Sequence, residues 1–107
     1  MYRQADDLLG EFYSSSDPEQ VWLVASVKRA LGESEEALRQ LKWLRDLDPK
    51  NIRGRYTLAV HLDQMGLLEE AVVEADWLRQ NDQSKQSARL YEKLHQKLKA
   101  KNENTRN

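Results

Sequence analysis

The chain of 107 residues contains no cysteine, which excludes disulfides and thiolate metal sites. It has only two prolines and four glycines, too few breaks for a sheet of many short strands. His61 and His95 are the sole histidines, and they do not stand in the H-E-x-x-H spacing that sets two ligands on one helical face. A glycine-rich phosphate loop and a G-x-S-x-G elbow are both missing. No apolar stretch approaches the roughly 18 residues of a membrane span, and Met1–Asp7 lacks the apolar run of a signal peptide. The expectation is therefore a non-catalytic chain of the cytoplasm, with no metal and no cofactor.

Helix-forming residues and charge are what the chain has in quantity: 39% of residues are hydrophobic and 33% charged. Net charge is −1 but unevenly placed. Through Asp82 there are 10 Lys and Arg against 16 Asp and Glu, and from Gln83 onward 7 against 2. An acidic body thus carries a basic end.

The dominant pattern is a repeat of 34 residues between 18–51 and 52–85. Identical pairs are Ala25/Ala59, Gly32/Gly66, Glu35/Glu69, Glu36/Glu70, Ala37/Ala71, Trp43/Trp77, Leu44/Leu78, Arg45/Arg79 and Asp48/Asp82. A fixed period of this length marks one supersecondary unit, stacked. The small residues at 25, 59, 37 and 71, the turn glycines at 32 and 66, and Pro49 closing the first unit resemble the tetratricopeptide repeat. The second unit departs from that pattern in closing on Gln83, and Lys28 and Leu62 stand where the family often has an aromatic residue. The resemblance implies an all-α chain of antiparallel helix hairpins, an α-solenoid of about six helices.

Apolar spacing fills in the boundaries. Residues 1–17 read as an N-terminal packing helix and linker, with Tyr2, Ala5, Leu8, Leu9, Phe12 and Tyr13 at helical spacing. Asp17 and Pro18 restart the chain as cap and first helical residue. Helices are expected at 18–31, 34–47, 52–65 and 68–81, with Leu31 and Met65 among their inward residues. Acidic pairs at 35–36 and 69–70 open the second helix of each hairpin, where the helix dipole favours them. A capping helix over 86–100, its start reaching back to 84, turns Ala88, Leu90, Tyr91, Leu94 and Leu98 inward, and 101–107 is expected to be a disordered tail.

Stacks of this kind line a concave face with their first helices. The resemblance places Glu19, Trp22, Ser26 and Arg29, then Arg53, Tyr56, Val60 and Asp63, on that groove. Trp22 and Tyr56 have two open readings, as binding aromatics or as core. The Lys/Asn/Arg carboxylate clamp of some family members is not found, since Trp22, Ser26, Tyr56 and Val60 hold the corresponding places. A peptide or helix with apolar anchors is the expected partner.

A second surface is formed by Trp43, Trp77 and the basic row Arg89, Lys93, Lys97 and Lys101. Trp43 and Trp77 read either as packing between repeats, covered by Arg45 and Arg79, or as an apolar patch for a partner or a second copy. The basic row reads as the solvated face of a capping helix that complements the acidic second repeat. Nucleic acid and membranes are disfavoured as partners. Two units are few where about three are wanted for stability, so a self-associating structural subunit stands as the alternative to an adaptor.

Overall fold

A computed structural model describes residues 16–106, with side chains through 104. Among the described residues there are five helices and no strand: α1 (Pro18–Ala30), α2 (Ser34–Leu47), α3 (Ile52–Gln64), α4 (Leu68–Asn81) and α5 (Lys85–Arg106). The expected helix over 1–13 lies outside the described residues. The chain forms two compact units, Met1–Gly54 and Arg55–Asn107.

In the first unit, Asp17 caps α1 by accepting the Glu19 amide at 3.1 Å, and Pro18 occupies the first turn, where its missing N–H costs nothing. The helix ends in a Schellman turn. Gly32 takes φ 77°, its N–H donates to Arg29 at 3.1 Å, and the Glu33 N–H reaches back to Lys28 at 2.9 Å. This left-handed turn reverses the chain, so α2 packs antiparallel on α1. Val21, Val24 and Ala25 of α1 meet the face carrying Ala37, Leu41 and Leu44 of α2, and all six are buried. Alanine at 25 and 37 lets the helix backbones approach closely.

The second unit repeats the same turn. Gly66 has φ 80°, its N–H donates to Asp63 at 3.0 Å, and the Leu67 N–H reaches Leu62 at 2.9 Å. Leu58, Ala59 and Leu62 of α3, Ala71, Ala75 and Leu78 of α4, and Leu90 and Leu94 of α5 form its buried core. Asp82, Ser84 and Ser87 secure the start of α5. Ser84 Oγ accepts the Ser87 amide at 3.2 Å, and the Asp82 carboxylate accepts Ser84 Oγ at 2.7 Å and Ser87 Oγ at 2.6 Å.

Two inward expectations are corrected. Leu31 is exposed, because it is the αR C-cap residue where α1 gives way to the turn. Ala88 is exposed too, since the buried stripe of α5 runs through Ser87, Leu90 and Leu94, one residue out of step with 88. Met65 is half-buried. Helix α5 also continues to Arg106, past the boundary placed at 100, and the sequence after Ala100 has no proline or glycine to stop it.

Candidate functional site

The residues expected on a groove fall into two clusters, one in each unit. In the first, the Arg53 guanidinium lies 4.1 Å over the centroid of the Trp22 ring and pairs with the Glu19 carboxylate. The chain reaches this arrangement because Glu19 and Trp22 are three apart and share a face of α1, while Asn51 orients the first turn of α3. Asn51 Oδ1 accepts the Gly54 amide at 2.9 Å. Glu19 and Arg53, which meet within the first unit, stand 34 residues apart, the sequence period itself. Trp22 is half-buried, with one face taken by Arg53. Ser26 turns its hydroxyl back to the Trp22 carbonyl at 2.9 Å, and Arg29 is half-buried on the same helix.

In the second unit Tyr56 and Val60 are half-buried on α3, and Asp63 follows on the same helix. Lys97 of α5 donates to both Asp63 oxygens, at 3.0 and 3.1 Å. Those residues are again 34 apart. Lys101 continues the edge with a looser contact to Glu69 at 3.8 Å. The basic row of α5 therefore splits, because Lys97 and Lys101 face acids of its own unit, whereas Arg89 and Lys93 are exposed on the outward side.

The second surface is rearranged relative to expectation. Trp77 is half-buried and covered by Arg55, whose guanidinium is 4.3 Å from the ring centroid. Arg79 instead lies 4.7 Å over Tyr91 and bonds Asp76 at 2.6 Å. That bond, helped by Gln80, lowers the Asp76 carboxyl from the usual carboxylate range and raises Arg79 further. The reason is geometric: Arg79 follows Trp77 by two residues and so leaves the helix on another side. Trp43 on α2 remains exposed.

Sequence reasoning missed Arg55 and Glu74. Glu74 is buried on α4 and accepts from Arg55 at 2.9 Å, with a second contact at 3.5 Å. A buried carboxylate needs such a partner, and the fork of the guanidinium supplies it while its flat face covers Trp77. The first unit has Val21 and Gln40 at the equivalent places, both buried. There the Gln40 Oε1 atom has no hydrogen-bond partner among the described residues. The available signal was a mismatch between repeats, with a charged pair standing where the other unit has none.

His61 is buried in α3, and His95 stacks on Tyr91 with ring centroids 5.5 Å apart. Among the described residues no group of three His, Asp or Glu side chains is placed to hold a metal ion, and no helix is long and apolar enough to cross a membrane.

Fold and site together define an all-α chain of helix hairpins with paired aromatic and charged side chains along its first helices. No protein-family model matches the chain, and no curated protein matches it in sequence.

Proposed function

We propose that the chain is a non-catalytic interaction module of the tetratricopeptide type, an adaptor that binds a peptide or helix of a protein partner through the first-helix face. The observation that carries this reading is the Arg53 guanidinium held over Trp22 by Glu19. Tryptophan, tyrosine and arginine dominate binding hot spots, and a side chain already held in place loses less entropy when a partner arrives. Glu19 fixes Arg53, and Ser26 spends its hydroxyl on the backbone, so the recognition surface is the exposed part of the indole and the outer guanidinium edge. In the second unit, Tyr56 and Val60 offer an apolar area of their own, of the kind that receives anchor side chains. A cytoplasmic location belongs to the same proposal.

The test is a pull-down from the source lysate with wild type beside Trp22→Ala/Tyr56→Ala, after far-ultraviolet circular dichroism has confirmed cooperative melting of the variant. The expected result is a partner captured by wild type and lost with the variant. A partner retained by the folded variant refutes the first-helix face as the binding site and moves it to Trp43 and the outer side of α5 with Arg89 and Lys93. The exposed Trp43 ring favours one second reading, self-association through the helix backs, which predicts a sedimentation coefficient that rises with concentration and falls back in Trp43→Ser.

A further inference from the structure

We infer that an exposed apolar stripe on α1, made of Leu23, Val27 and Leu31, is the docking face for the chain's own residues 1–13. The stripe is 44%, 42% and 63% exposed at these three positions. Their spacing of four puts them on one side of the helix, and this side is separate from the Val21, Val24 and Ala25 face that packs on α2.

What belongs on such a face follows from the helix caps. Asp17, Asn51 and Ser84 each accept an amide at the start of α1, α3 and α5, which sets the three helices in a common register. Counted from its cap, the stripe of α1 corresponds to Thr57, His61 and Met65 in α3 and to Leu90, Leu94 and Leu98 in α5. All six of these residues are buried or half-buried. In α5 the stripe packs against α4, the helix that precedes it. The same face is thus covered in α3 and α5 and open in α1, the one of the three whose preceding chain lies outside the described residues.

The preceding chain has the composition to cover it. Tyr2, Ala5, Leu8, Leu9 and Phe12 recur at intervals of three and four, and Asp6, Asp7 and Glu11 fall largely off that row. Residues 14–17 then provide a connection of four, within the two to five that join antiparallel helices. A segment so close to the face has a high effective concentration there, which favours it over any partner supplied in trans. This inference is independent of the partner reading, since it concerns a different side of α1 from Trp22.

The absence of cysteine makes the test direct. A nitroxide label on Ala30→Cys, an exposed site beside the stripe, is placed in the isotope-labelled full chain, and the amide signals of residues 2–13 are recorded before and after the nitroxide is reduced. The expected result is strong broadening of those signals, relieved by reduction, and lost in Val27→Asp/Leu31→Asp while the signals of α4 and α5 keep their positions. Both substituted residues are exposed, so the hairpin core is untouched. The inference is overturned if the signals of 2–13 stay sharp, or if their broadening survives the double substitution. It is also overturned if broadening appears only when isotope-labelled chain without cysteine is mixed with spin-labelled chain, which would assign the face to a second copy. Hydrogen exchange on the unlabelled chain gives a second readout: protection of the Leu8 and Leu9 amides is expected in wild type and lost in the double variant.

Discussion

Removing the positive partner of Glu74 is expected to cost more than any exposed change in the chain, and the protein carries its own control for the measurement. In Arg55→Val the Glu74 side chain, 4% exposed, loses the guanidinium 2.9 Å away. Breaking a buried pair from one side typically costs about 3–5 kcal/mol, because the remaining group is kept out of water with its strongest partner gone. The loss of Arg55 from the face of Trp77 adds roughly 0.5–2 kcal/mol. A chain of 107 residues has about 5–15 kcal/mol of stability in total, so the single variant stands near the limit of folding. Adding Glu74→Gln reproduces the Val21/Gln40 pair that the first unit already buries. A buried pair replaced as a whole is often neutral, so the double variant is expected to recover about 2 kcal/mol or more of the loss. Urea denaturation followed by circular dichroism reads both. With a slope of about 1–3 kcal/mol/M, the single variant loses more than about 1 M in midpoint and the double variant regains most of it. Equal midpoints for the two variants would refute the reasoning, since the cost would then lie in Arg55 packing and not in the Glu74 carboxylate.

Two smaller effects are accessible to the same assay. A Cβ at Gly54 would stand 2.7 Å from Leu44 Cδ2 and 3.1 Å from its Cγ, so Gly54→Ala sets an overpacking cost of about 1–3 kcal/mol against a helix-propensity gain of about 1 kcal/mol. A net loss is expected, smaller when Leu44→Val makes room, and a net gain in the single variant would show that Leu44 yields freely. Asp82 is held below the ordinary carboxylate range first by the Ser87 hydroxyl and then by Ser84. A lowered folded-state value gives stability that is present above the unfolded value, near pH 4, and lost as pH falls through the folded one. The deficit of Asp82→Asn relative to wild type should therefore shrink on acidification from about pH 6 to about pH 3, and a deficit independent of pH would exclude the carboxylate from the start of α5.

The helices were legible because their signals are local. Asp17, Gly32, Pro49 and Gly66 act within a few residues, and the 34-residue period repeats the glycine turn, so both ends of four helices fall within a residue of expectation. The pairs across helices were harder, yet two of them were written in the same period. Glu19/Arg53 and Asp63/Lys97 are opposite charges at a separation of 34, each meeting within its own unit. Arg55 and Glu74 could not be read this way. Their separation of 19 crosses one hairpin, and the repeat gives no second copy, because Val21 and Gln40 stand there instead. Arg79 shows the complementary limit. A repeated Trp-Leu-Arg triplet suggested that each arginine covers its own tryptophan, but two residues along a helix separate side chains by more than half a turn. Trp77 therefore takes its cover from the neighbouring helix, through an arginine that the first repeat lacks. Departures between otherwise matched repeats are where each unit has specialised. By that logic Arg55 and Glu74 belong to the interior of the second hairpin, while Trp22 and Arg53 of the first unit are the side chains proposed to meet a partner.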